Sequence, residues 1–303
     1  MYDIITIGSA TLDVLVKAKQ ELKHHQNHTD ILYHLGDKVL IQDLEFSTGG
    51  GGTNTAVAFS RLGLKTGFVG VLGKDPNAST ILDELKKEKV DFLGNIKPGS
   101  TGYSVILAGE KDRTILVFKG VNNSLDLKDI RMQSLDCKWL YISSMLGKSY
   151  NTALKLASIA KRKGTKIAVN VSPYLAKMGI HFLAPLIKRS DILILNYEEA
   201  KLLTSKESIH SIIEEITKYM QGVIVITNGD KPIHAYHWKK NYIKKINPIK
   251  PVDKTGSGDA FAAGFVYGII KGKDIKTSLS YGYKEALSVL KALGAKNNLL
   301  RKL

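Results

Sequence analysis

From Val252 to Phe265 the chain reads Val-Asp-Lys-Thr-Gly-Ser-Gly-Asp-Ala-Phe-Ala-Ala-Gly-Phe, and these residue types in this order suit the handling of a phosphoryl group. Gly256 and Gly258 remove side chains on either side of Ser257, so consecutive backbone N–H groups can converge on one point. A helix of small residues is expected from Asp259, and a helix N-terminus adds roughly half a positive charge at that point. The result is an anion hole suited to charge developing on a migrating phosphoryl group. Asp259, in the first turn, could accept the proton of an attacking hydroxyl. The plainer reading is a glycine turn with Asp259 as an ordinary N-cap, worth about 1 kcal/mol. A cap needs neither the second glycine nor the thin flank of Ala262, Ala263 and Gly264.

Such a loop must be positioned by its neighbours. Short β-branched runs at 3–8, 67–72, 139–142, 166–171, 191–195 and 223–227 alternate with helix-like stretches at 53–62, 78–88, 151–163, 181–188 and 209–220. The strand-like runs are continuously apolar, which predicts an α/β fold: a mostly parallel sheet with helices on both faces. Ligand crevices in such sheets lie at the carboxyl ends of the strands. Residues 13–45 and 102–119 break the pattern. The runs Tyr103-Ser104-Val105-Ile106-Leu107 and Thr114-Ile115-Leu116-Val117-Phe118 flank Gly109-Glu110-Lys111-Asp112, a hairpin turn. The expectation is a small antiparallel β lid built from 13–45 and 102–119, over a catalytic domain of 1–12, 46–101 and 120–303.

The segment around Asp259 resembles the second signature of the PfkB carbohydrate kinase family, written Asp-Thr-x-Gly-Ala-Gly-Asp-x-Phe. Gly50-Gly51-Gly52-Thr53-Asn54-Thr55-Ala56, followed by Gly63 and Gly73, resembles the first. The resemblance implies a ribokinase-like three-layer α/β/α sandwich with a β lid. It also implies an ATP-dependent kinase that uses Mg²⁺ and phosphorylates a hydroxymethyl group of a small molecule. Carried over by position, Asp259 is the catalytic base, and Gly256, Ser257 and Gly258 form the anion hole. Asn54 lines the sugar site with Gly50 and Gly51, and Asp13 holds sugar hydroxyls, since a carboxylate can accept from two at once. Asn196 sits near the phosphates, and Glu199 orders magnesium-bound water. Thr227 and Gly229 touch ATP. Asp253 and Thr255, completed by 286–294, fall where the family holds a monovalent cation, K⁺.

Two departures bear on the acceptor. Ribose-specific members carry lysine where this chain has Gly51, and a sugar-binding acid where it has Ser143, Ser144 and Met145. Both losses make the pocket larger and more apolar, so a nucleoside stands beside a monosaccharide as the expected acceptor. A non-catalytic sugar- or nucleic-acid-binding protein is the reading from a different class.

The net charge of +16 is its support, but the lysines alternate with apolar positions and no aromatic-interleaved basic stripe is present. A nucleic-acid partner is therefore not expected, whereas attraction of small anionic substrates is. Mean hydropathy of -0.07 and the absence of an apolar run of about 18 residues argue against a membrane span. The single cysteine, Cys137, expected at the sheet edge, suits a reducing cytoplasm. A homodimer through the lid is a further expectation. His24-His25-x-x-His28 has helical metal-ligand spacing but lies in a polar part of the lid, where solvation is expected instead. Neither a Gly-x-x-x-x-Gly-Lys-Ser/Thr loop nor a dinucleotide fingerprint after Gly8-Ser9-Ala10 is found.

Overall fold

The strands are continuously apolar because both of their faces are buried. In Tyr2–Ile7, Ile4 enters one core cluster while Ile5 and Ile7 enter the other. Ile192 and Ile194 divide in the same way from Leu193 and Leu195, and Val223 and Val225 from Ile224 and Ile226. This is the two-residue period of a strand packed on both sides.

The computed structural model describes residues 1–18, 21–25, 29–108 and 113–303. Its main sheet has 9 strands, with Tyr2–Ile7 flanked by Cys137–Ile142 and Thr66–Val69. Lys166–Asn170, Ile192–Asn196 and Val223–Asn228 extend it on one side and Val90–Phe92 on the other, all parallel. Lys231–His237 and Lys240–Lys244 add antiparallel strands at the far edge. Helices Gly147–Arg162, Gly179–Ile187, Tyr197–Thr204 and Ile209–Thr217 cover the Ile5 face. Gly51–Arg61, Pro76–Lys87, Ser257–Ile270 and Ile275–Val289 cover the Ile4 face. The expected three-layer sandwich is present.

The thin flank of the helix after Asp259 has a use the sequence did not disclose. A Cβ at Gly264 would meet Tyr281 O at 2.7 Å, and one at Gly282 would meet Phe261 O at the same distance. The small residues thus admit the neighbouring helix Ile275–Val289, and that packing sets the direction in which Ser257–Ile270 delivers its N-terminus.

A second, four-stranded sheet runs Arg113–Phe118, Gly102–Ala108, Thr11–Ala18, Ile41–Gly49. Its outer pairs are antiparallel and its inner pair is parallel. Asp13 lies within the strand that begins at Thr11, not in a turn. The turn at 109–112 lies outside the described residues. Glu21–His24 pairs with Thr29–Leu32 in a separate two-stranded sheet, so His24 lies on a strand and not on a helix. His24 meets Thr29 at 3.2 Å and His25 meets Asp30 at 3.0 Å; His28 is outside the described residues. Cys137 begins an inner strand, between Tyr2–Ile7 and Lys166–Asn170, and not an edge strand; burial pushes its thiol up to about 12.

Candidate active site

The two glycine motifs are brought together at the carboxyl ends of the central strands. Asp259 stands in the first turn of Ser257–Ile270, and its Oδ2 accepts from Asn54 Nδ2 at 2.8 Å. Its side chain is only half-buried, so it keeps an open side towards the crevice. Burial raises its pKa above the ordinary carboxylate value; the Asn54 hydrogen bond and the charge of Lys296 oppose this, and Asp13 adds to it. Among the described residues the Gly256 and Gly258 amides meet no backbone acceptor, while that of Ser257 reaches Lys254 O at 3.3 Å. Gly256 has φ 74, and a Cβ there would lie 2.6 Å from Ala295 Cα. A Cβ at Gly258 would meet nothing within 4 Å, because this part of the loop faces open space. The helix carries no side-chain cap, so the ordinary N-cap reading of Asp259 does not apply.

Gly50 caps the helix Gly51–Arg61 at φ 97, and Gly52 N donates to Ser9 O at 3.1 Å. The Gly8-Ser9-Ala10 turn therefore serves as a seat for the first glycine motif. A Cβ at Gly51 would overlap Ser143 Oγ and lie 3.5 Å from Asp259 Oδ1. Of the three residues aligned with the missing acid, Ser143 is thus the one that reaches the site, while Met145 is buried. Asn54 Oδ1 is buried and accepts no hydrogen bond from the protein, which suits an acceptor hydroxyl. Asp13, 7% exposed, lies against Gly49, where a Cβ would come within 2.6 Å of its Cγ. Thr11 donates to it at 2.8 Å. Burial dominates and raises its pKa, with Ser104, Thr11 and Lys296 opposing.

Asn196 and Thr227 are Cα partners at the ends of adjacent parallel strands, and Gly229 turns at φ 57 just beyond. Asn196 and Glu199 form a reciprocal capping box: Asn196 Oδ1 accepts from Glu199 N at 2.8 Å, and Glu199 Oε2 accepts from Asn196 N at 2.8 Å. The cap expected of an isolated Asn-x-x-Glu is therefore real, but the acid is not solvated. Glu199 is 8% exposed. Burial pushes its carboxyl up to about 7, the Asn196 amide opposing and the charge of Asp259 adding to the rise. The oxygens of Glu199 and Asp259 are hard donors of the kind that suit Mg²⁺ and its waters. Among the described residues no group of three His, Cys, Asp or Glu side chains gathers.

The monovalent-cation position is different. Asp253 Oδ1 accepts from Thr255 N at 2.9 Å and Oγ1 at 2.7 Å, and Oδ2 accepts from Gly294 N at 3.0 Å. Arg113 Nη1, from the second sheet, stands 3.7 Å from Oδ1. The carboxylate is engaged by the protein and a guanidinium already supplies positive charge, so this donor set does not fit K⁺ at Asp253.

Sequence reasoning aligned Ser143 only as one of three candidates for a missing acid, and missed Arg113 and Lys296. Lys296 is 5% exposed and donates to Thr48 Oγ1 at 2.7 Å and Glu84 Oε2 at 2.6 Å. It fastens the loop that touches Gly256 to the strand that carries Gly49. No local motif marks Arg113 or Lys296, whereas the family alignment and the end of a parallel strand both pointed towards Ser143.

The fold and the paired motifs define a phosphotransferase of the sugar or nucleoside kinase type. The model of the pfkB family carbohydrate kinases matches residues 4–302, and the chain belongs to that family. It is 32% identical to 5-dehydro-2-deoxygluconokinase of Clostridium botulinum over 262 residues, covering 78% of this chain and 76% of the relative. It is 26% identical to ribokinase of Bacillus subtilis over 314 residues, covering 99% and 96%. Its fold matches adenosine kinase from Sinorhizobium meliloti with a TM-score of 0.84 at 19% identity, covering 98% and 97%.

Proposed function

We propose that this protein transfers the γ-phosphate of ATP to a hydroxymethyl group of a monosaccharide or close relative, with Mg²⁺. The observation that carries the reading is the Asn54–Asp259 hydrogen bond, which joins the acceptor side to the phosphate side. Asp259 takes the proton of the attacking hydroxyl, and Asn54 aims the carboxylate. The Gly256 and Gly258 amides receive the charge that develops on the transferring group. Asp13 and Asn54 Oδ1 hold acceptor hydroxyls. Thr227, Gly229 and Asn196 bear on the nucleotide phosphates, and Glu199 orients metal-bound water. When bound, Mg²⁺ neutralises phosphate charge. Relatives named for ribose and for 5-dehydro-2-deoxygluconate support a sugar acceptor. ADP release across a panel of sugars and nucleosides tests it; silence from every sugar would overturn it.

A nucleoside acceptor is the second reading, favoured by Ser143, which reaches the site and carries no acid where ribose-specific members have one. Residues 13–45 and 102–119 act as a lid that excludes water during transfer. One face of that sheet aligns Phe46, Val14, Val105 and Leu116 in a row. Phe46 is 62% and Leu116 55% exposed, which supports pairing with a second copy. Among the described residues no helix is long and apolar enough to cross a membrane. A cytoplasmic setting, where ATP is abundant, suits the activity.

A further inference from the structure

We propose that the acceptor is an anionic sugar, charged at the end remote from the reacting hydroxymethyl group, and that Lys119 reads that charge. The inference rests on the kinase reading above and narrows its acceptor.

Lys119 follows the outer strand Arg113–Phe118 and precedes Gly120, whose φ of 51 and close approach to Ser100 and Thr101 hold the backbone in place. Its Nζ lies 5.0 Å from the centre of the Tyr174 ring. The side chain is half-buried, and burial, with no opposing carboxylate, lowers its pKa. Two other sheltered lysines have acids: Lys97 meets Asp129 at 2.8 Å, and Lys296 meets Glu84 at 2.6 Å; half-buried Lys244, like Lys119, lies over a ring, that of Tyr283, but on the far edge strand of the main sheet. Among the described residues Lys119 has only the ring, which leaves its N–H donors for a ligand. A desolvated ammonium held without a carboxylate is costly to the free protein and is relieved by an anion that arrives with the substrate.

Its place is on the acceptor side. Ser143, against Gly51 and Asp259, is followed by Ser144, whose Oγ accepts from Ser172 Oγ at 2.7 Å and Ser172 N at 3.1 Å. Tyr174 comes two residues later. Tyr103 pairs with both Phe118 and Leu12, so the strand leading to Lys119 belongs to the same sheet as Asp13. The stretch between, Ser143 and Ser144, carries no acid that would repel an anion. The net charge of +16 raises the local concentration of anionic substrates in the same sense.

The test is ADP release by the full chain in four arms: neutral pentoses and hexoses, aldonates and their keto forms, sugar monophosphates, and adenosine. The expected result is the highest kcat/KM in one of the two anionic arms, and which of the two responds identifies the charge as carboxylate or phosphate. In that arm KM should rise as NaCl is added. Lys119→Met should raise it by about 10- to 100-fold, acting on KM more than on kcat, the range for losing a charge-assisted hydrogen bond. Lys119→Arg should keep most of the affinity. A neutral sugar or adenosine as the best acceptor, or Lys119→Met with wild-type KM, would overturn the inference while leaving the kinase intact. No ADP in any arm would reject the kinase reading itself, and the charge assignment with it.

Discussion

Asn54 donates its Nδ2 hydrogen to Asp259 Oδ2 at 2.8 Å, joining the first turns of two helices 205 residues apart in sequence. The bond aims the carboxylate and partly counters the rise in pKa that burial imposes. Asn54→Ala should therefore lower kcat/KM by about 10- to 100-fold, the range for losing a hydrogen bond to a charged group. Loss of the donor raises the Asp259 pKa further, so the acid limb of the pH–rate profile should move to higher pH. Asp13 and Lys296 also act on this carboxyl and remain in the variant, so the shift isolates Asn54. An unmoved limb would mean that Asn54 does not tune the base.

Gly51 is required for space. Gly51→Ala would drive its Cβ into Ser143 Oγ and to 3.5 Å from Asp259 Oδ1. A drop in kcat/KM of about 100-fold is expected, since small misplacements of reacting groups carry costs of that size. Adding Ser143→Ala removes the clashing hydroxyl and should recover part of the loss. A double variant no better than Gly51→Ala would show that the clash is not the cause.

Arg113 occupies the electrostatic role expected of a monovalent cation at Asp253. Exchanging K⁺ for tetramethylammonium should leave kcat/KM where it was, whereas Arg113→Met should lower it. Strong activation of the wild type by K⁺ would contradict this assignment of charge.

Glu285 is fully buried, and burial pushes its carboxyl from its ordinary value up to about 7, although Leu300 N donates to it and Arg61 opposes the rise. A raised carboxyl favours the folded state while protonated. That contribution is complete below about pH 4.5 and is lost as pH rises through about 7. Glu285→Gln keeps an acceptor for Leu300 N and has no proton to lose. Measured by urea unfolding, its stability relative to wild type should climb between pH 4.5 and 8 by roughly 3 kcal/mol. A pH-independent difference would place the Glu285 pKa near its ordinary value.

Much of this molecule was legible from its sequence because the main sheet is buried on both faces. Ile192, Leu193, Ile194 and Leu195 can only be a covered inner strand, and glycines as crowded as Gly51 and Gly256 announce a close approach. What the sequence concealed depends on contacts between distant segments. Lys296 looks like a solvated C-terminal lysine until Glu84 and Thr48 close around it. Arg113 sits beside a turn and gives no hint of Asp253. The helix cap formed by Asn196 and Glu199 could be read locally, but the burial that raises Glu199 could not. The edge placement of Cys137 failed because strand order, with Tyr2–Ile7 inserted between Cys137–Ile142 and Thr66–Val69, is a property of the whole chain.

The central claim is that the Asp259 carboxylate accepts the acceptor's proton beside amides that receive the phosphoryl charge. Steady-state turnover of Asp259→Asn, with ATP, Mg²⁺ and the best acceptor of the panel, tests it most directly. The account predicts a fall in kcat of about 10²- to 10⁴-fold, the range for a positioned base, in a protein that still binds ATP. Turnover at the wild-type rate would contradict it.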